Sequence, residues 1–252
     1  NNIIRRNQFL SSALTVANAT GFRGISVSNQ SGLLIDSNKV YNIKALESIG
    51  TDIRPPAGIC LEGNILNTTV SRNEVYELRN DELTTDGYAI YGIAVMPSNN
   101  NNNIRIHNNM IAKVLGRGNA SNVALNGHGI AILSGTGHRL WYNSINQPLN
   151  QTNAGITAAL YIGPGINTAS AITEVRNNIF SNRITTGARY GIYAEHPTGI
   201  IFGNINYNNY YSAGAFGFLG GARATLGAWQ LATGQDAASV SANPQFINTA
   251  TN

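Results

Sequence analysis

The sequence is poor in charge. Asp, Glu, Lys and Arg make up 11% of its 252 residues, against roughly 25% in ordinary soluble domains. That shortage argues against a fold built on helices with salt-bridged surfaces. A single cysteine, Cys60, excludes an internal disulfide framework. It leaves the redox compartment open, because a large solenoid needs no covalent staples. No apolar run reaches the ~18 residues of a membrane-spanning helix, and no signal peptide or targeting tail is recognisable. The net charge of +4, from 13 arginines and 3 lysines against 12 acids, is spread along the chain. Without a basic stripe, nucleic acid is disfavoured as a partner. Catalytic signatures are missing as well: there is no G-x-S-x-G, no H-E-x-x-H and no phosphate-binding loop. The four histidines, His107, His128, His138 and His196, have no metal-ligand spacing. Cys60 lies in a strand-like run with no histidine at the matching place in neighbouring repeats.

Asparagine and glycine fill the space that charge leaves, with 36 and 27 copies. The asparagines are not scattered. A hexad, apolar–polar–x–Asn–x–apolar, recurs as IRRNQF, IDSNKV, VSRNEV, IHNNMI, LWYNSI, VRNNIF and INYNNY. Its asparagines are Asn7, Asn38, Asn73, Asn109, Asn143, Asn178 and Asn208, at spacings of 31, 35, 36, 34, 35 and 30. Three residues before each stand Ile4, Ile35, Val70, Ile106, Leu140, Val175 and Ile205. Two residues after stand Phe9, Val40, Val75, Ile111, Ile145, Phe180 and Tyr210. Both columns are apolar or aromatic throughout. A Gly-Ile pair keeps the same beat at Gly24, Gly58, Gly92, Gly129 and Gly191, with Ala159–Leu160 filling the gap. Each pair opens a short alternating run, as in GISVS and GICLE.

Three short strands per ~34 residues, without a helical period, predict a parallel β-helix whose coils stack at ~4.8 Å. Equivalent asparagines then lie one above another, each able to donate to the next. Asparagine also tolerates the left-handed backbone of a corner, so the ladder residue is expected to be the turning residue.

The hexads resemble those of right-handed parallel β-helix proteins of the pectate-lyase-like superfamily, including its asparagine ladder at a tight turn. The resemblance covers residues 1–212. The tail, YYSAGAFGFLGGARATLGAWQLATGQDAASVSANPQF, is similar to a segment that follows such repeats in large secreted proteins of Bacteroidetes-type bacteria. There a short helix, here ATLGAWQLAT, precedes a return to the solenoid. The expected fold is thus all-β, a single-stranded right-handed parallel β-helix of about seven to eight coils with a short helix near the C-terminus. Residues 1–212 form the repeats, and 213–252 form the helix and a return strand of the same solenoid. The setting that the resemblance implies is extracellular or cell-surface. Both ends fall within a pattern, so further repeats of the same chain or abutting subunits are expected at each.

A site on such a fold has to be assembled from side chains that neighbouring coils stack on one face. Two positions before each ladder asparagine, the outward column reads Arg5, Asp36, Ser71, His107, Trp141, Arg176, Asn206. Four before, it reads Ile3, Leu34, Thr69, Arg105, Arg139, Glu174, Asn204. His107, Arg139, Trp141 and Arg176 form a platform that suits a sugar ring and its hydroxyls or carboxylates. The same residues also suit a purely structural cross-strand network. Tyr161 over Tyr193 is a second outward stack on the Gly-Ile strand. Acids gather in two loops, as Glu47 and Asp52, then Asp81, Glu82 and Asp86, where hard oxygen ligands for calcium or a self-paired loop cluster are the readings. No cofactor is otherwise implied. In the Gly-Ile column, Glu62 and Glu195 are four coils apart, ~19 Å, too far for paired carboxylate chemistry.

The residues therefore favour a non-catalytic structural or adhesive segment that contacts polysaccharide or cell-surface glycan. The alternative is a polysaccharide lyase or glycoside hydrolase acting on an acidic polysaccharide. The fold alone does not separate them.

Overall fold

The hydrophobic columns decide the architecture. The computed structural model describes residues 2–10, 23–45, 55–81, 89–166 and 173–246. In it the chain is a β-solenoid of stacked parallel strands. A pre-corner sheet takes one strand from each hexad: Ile3–Arg5, Leu34–Asp36, Thr69–Ser71, Arg105–His107, Arg139–Trp141, Thr173–Arg176 and Phe202–Asn206. A post-corner sheet follows the asparagines, from Gln8–Leu10 to Asn209–Ser212. The Gly-Ile sheet runs from Arg23–Ser28 to Ala215–Leu219.

Each sheet sends one apolar column into a common interior. Ile35, Val70, Ile106, Leu140 and Val175 meet Val40, Val75, Ile111, Ile145 and Phe180, with Ile59, Ile93, Ile130, Leu160 and Ile192 closing the third side. The Gly-Ile glycines are there for space. A Cβ on Gly58 would lie 2.4 Å from Val75 Cγ1, and one on Gly129 would lie 2.3 Å from Ile145 Cγ2. The missing side chain admits the aliphatic group across the interior.

The ladder is continuous. Nδ2 of each asparagine donates to Oδ1 of the next, from Asn7 through Asn38, Asn73, Asn109, Asn143 and Asn178 to Asn208, at 2.9–3.1 Å. The backbone N–H of each donates to the same oxygen. The second Nδ2 hydrogen reaches a carbonyl of the preceding coil, as from Asn143 to Ile106. From Asn38 onward these residues are buried, so the arrangement meets the requirement that interior polar groups be paired.

The corner differs from expectation in one respect. The left-handed residue is not the asparagine but the one before it: Arg6, Ser37, Arg72, Asn108, Tyr142, Asn177 and Tyr207 have φ between 53° and 59°. The ladder asparagines are not among the left-handed residues, and their amides turn inward along the ladder. The bend therefore falls on the outward neighbour, at about 1–2 kcal/mol per non-glycine residue.

At the C-terminal end of the described residues, a helix and the segment after it lie over the last coil. The helix is Leu226–Thr233, capped by the Thr225 hydroxyl and stopped by left-handed Gly234. Its Trp229 is fully buried over Phe202, Tyr210 and Phe216. Trp229 Nε1 and the Tyr210 hydroxyl both donate to buried Asp236, at 2.7 and 2.6 Å. Gln235 replaces a strand on the last pre-corner edge: its amide accepts from Ile205 N–H and donates to Phe202 C=O. Ser239 takes the next ladder position, accepting from Asn208 N–H at 2.7 Å and donating to Asp236. Val240 then pairs with the post-corner strand through Asn208 and Tyr210.

Candidate glycan-contacting face

The platform residues come together as their spacing requires. Arg105, Ile106 and His107 pair in register with Arg139, Leu140 and Trp141, and these pair with Glu174, Val175 and Arg176. The middle member of each triplet points into the core, so its flanking residues share the outer face. His107, Trp141 and Arg176 thus form one row and Arg105, Arg139 and Glu174 the other, all half-buried.

Contacts within the face are mainly ionic. Glu174 lies 3.6 Å from Arg139 Nε and 4.0 Å from Arg176 Nη2. Arg139 also donates to Asn103 Oδ1 at 2.7 Å. The Arg105 guanidinium has no hydrogen-bond or ion-pair partner among the described residues. Trp141 Nε1 and Arg176 Nε are enclosed without a protein acceptor. Among the described residues, His107 does not stack on Trp141 and Arg176 makes no cation–π contact with it. Burial holds His107 below its ordinary pKa, and the positive charges of Arg72 and Arg105 add to this against the opposing pull of Asp36.

Toward the N-terminal end the same face is closed on itself. Asp36 is buried, and its carboxylate meets Arg5 at 2.8 Å, Arg72 at 2.6 Å, Ser71 at 2.7 Å and Ser37 at 3.1 Å. Burial raises its pKa, but the hydrogen bonds from Ser71, Arg72 and Ser37 outweigh it and bring the group down to about 2. A carboxyl depressed in the folded state stabilises the fold above its unfolded pKa and loses that contribution as pH falls through the folded one. Stability should therefore decline between about pH 3.8 and about 2. Asp36→Asn should flatten this limb of an acid-denaturation curve, and an unchanged limb would show that Asp36 is not responsible.

Tyr161 and Tyr193 are stacked neighbours in register, but they are not exposed. They retain 1% and 8% of their surface. They belong to a second apolar layer on the outside of the Gly-Ile sheet, in which Tyr91, His128, Tyr161, Tyr193 and Phe218 follow one another. The turn Val123–Leu125 helps to cover it. Tyr91 donates its hydroxyl proton to Ala124 C=O, and His128 Nε2 lies 2.8 Å from Val123 C=O. The Tyr161 hydroxyl donates to Glu195 at 2.7 Å. Burial lowers His128 and His138 to about 4, so both are neutral structural residues at pH 7. The apolar character of this outward column, with Cys60, Ala94 and Ala131 in it, was the sequence signal for a cover.

Of the acidic loop cluster, Glu47, Asp52, Glu82 and Asp86 lie outside the described residues. Asp81 is described, and it pairs with Arg79 at 2.6 Å and Lys44 at 3.5 Å. Among the described residues no group of three metal-ligating side chains occurs, and no helix is long and apolar enough to cross a membrane. No family model matches the sequence, and no curated protein or solved structure matches it.

Proposed function

We propose that this chain is a non-catalytic segment of a secreted or cell-surface protein. In this reading it is a right-handed β-helix of the pectate-lyase-like kind, serving as scaffold or adhesin and holding acidic polysaccharide on its pre-corner face. The right hand follows the general handedness of parallel β crossovers, and the resemblance of the hexads supports the kinship. One observation carries the ligand. The outer face aligns Arg105, Arg139 and Arg176 in successive coils around Trp141, and Glu174 is the one carboxylate among those two rows there. An extended anionic chain lying along the solenoid axis meets Arg105 and Arg139 in one row, a coil step of ~4.8 Å apart, and then Arg176 in the adjoining row of the next coil. Arg105 has no internal partner to give up. The scaffold role is supported by the engagement of other carboxylates among the described residues: Asp36, Glu62, Glu77, Asp81 and Asp236 are tied to cations or hydroxyls of the fold.

The test is retention on immobilised polygalacturonate or alginate at low salt. The protein should be retained, with Arg105→Ala and Trp141→Ala each weakening retention several-fold and added salt eluting it. No unsaturated-uronate absorbance should develop. A rise in that absorbance, abolished by Asp81→Asn or Asp86→Asn, would establish a lyase instead.

A further inference from the structure

The corner column holds two residues that the fold does not explain. Tyr142 and Tyr207 sit at φ 54° and 59°, a backbone region that bulky side chains rarely adopt. Neither gains burial there, since they remain 59% and 58% exposed. Neither ring pairs with another aromatic ring, and neither hydroxyl has a partner among the described residues. Asn108 and Asn177 hold the same turn in adjacent coils with a side chain that tolerates it far better. Strain kept at an exposed position without a packing return is a mark of function.

We infer that Tyr142 and Tyr207 form a sugar-stacking ridge, on which alternate residues of a polysaccharide lie as it runs along the solenoid axis. This rests on the glycan-contacting reading above and adds a second set of contacts to it. The two tyrosines are separated by one coil, since Trp141 pairs with Arg176 and Arg176 with Asn206 immediately before the corner. Two coil steps place them roughly 10 Å apart, comparable to a disaccharide in an extended chain. The intervening coil offers the short amide of Asn177, which leaves room for the sugar that is not stacked. The ridge adjoins the arginine face directly, because Tyr142 follows Trp141 and Asn177 follows Arg176 in the chain. A pyranose presents an apolar C–H face to a ring on one side while its carboxylate or hydroxyls turn toward the guanidinium groups. Tyrosine suits this, giving a rigid amphipathic surface at small entropic cost.

The decisive variant is Tyr142→Gly combined with Tyr207→Gly. Glycine accepts the left-handed backbone without strain, so the double variant should unfold at the same or a higher urea midpoint than the wild type. Affinity electrophoresis through gels containing polygalacturonate, alginate or xylan reads binding. We expect the wild type to be retarded by at least one polymer and the double variant to lose about tenfold in affinity for it. If the wild type is retarded and Arg105→Ala weakens it, but the double glycine variant binds undiminished, the ridge is wrong and the arginine face stands. If no polymer retards the wild type, the ridge and the glycan-contacting reading fall together.

Discussion

Replacing Asn143 by alanine is expected to cost about 2–4 kcal/mol of stability. The side chain takes part in four hydrogen bonds. Its Oδ1 accepts from the N–H and Nδ2 of Asn109, and its Nδ2 donates to Asn178 Oδ1 and Ile106 C=O. All of this happens in a buried column. Alanine removes these bonds and leaves the Asn109 donors facing a gap that water does not readily fill. Leaving a buried partner unsatisfied costs more than the bond itself is worth, which sets the upper part of the range. Glycine should be no better than alanine at this position. That outcome separates ladder from corner, because a left-handed Asn143 would favour glycine, whereas the left-handed residue is Tyr142. Asn109→Ala should cost a similar amount. The double variant should cost less than the sum, because the two residues share the same pair of bonds. Urea denaturation of the four proteins measures the cycle. A glycine variant clearly more stable than the alanine variant, or strict additivity, would contradict the assignment.

What could be read from sequence was what the solenoid repeats. Interior positions must be apolar in every coil, so Ile35 to Val175 and Val40 to Phe180 stand out as columns, and the ladder asparagines stand out for the same reason. The register of the outer face followed directly, which is why Arg105, Arg139 and Glu174 line up as counted. The tail helix was expected from the resemblance of the tail, not from a helical period, and it forms over Leu226–Thr233. The corner was harder. Its turning column reads Arg, Ser, Arg, Asn, Tyr, Asn, Tyr, with no chemistry common to every coil, because the turn itself constrains the backbone and not the side chain. The adjacent asparagine therefore drew the assignment. Tyr161 and Tyr193 stack outward on the Gly-Ile sheet as counted, but their burial was hidden for another reason. Outward from the interior was equated with exposed, but the segment around Val123 folds back over the Gly-Ile sheet and makes a second buried layer. The cap was unreadable in a further sense: Gln235 and Ser239 each act once, so no repeat announces them.

The cap gives the second large effect. Trp229 is fully buried between the end of the core and the helix, and removing such a side chain typically costs 3–5 kcal/mol. Here the loss reaches further, since Trp229 Nε1 is one of the donors to Asp236, which also holds the Tyr210 hydroxyl and Ser239. Trp229→Ala should therefore loosen the helix and the 235–240 segment together. The strands Phe202–Asn206 and Asn209–Ser212 would lose the groups that now satisfy their edges. Unsatisfied edges recruit strands from other molecules. We expect Trp229→Ala to unfold at lower urea and to self-associate in light scattering. Hydrogen exchange should accelerate at the Ile205 and Tyr210 amides, whose acceptors belong to the cap, while the Arg139 amide at mid-solenoid stays protected. Trp229→Phe keeps most of the apolar surface and loses the donor, so it should fall between wild type and alanine, at about 1–3 kcal/mol. An alanine variant with the wild-type midpoint, assembly state and exchange at Ile205 and Tyr210 would mean that the helix rests on the solenoid without closing it.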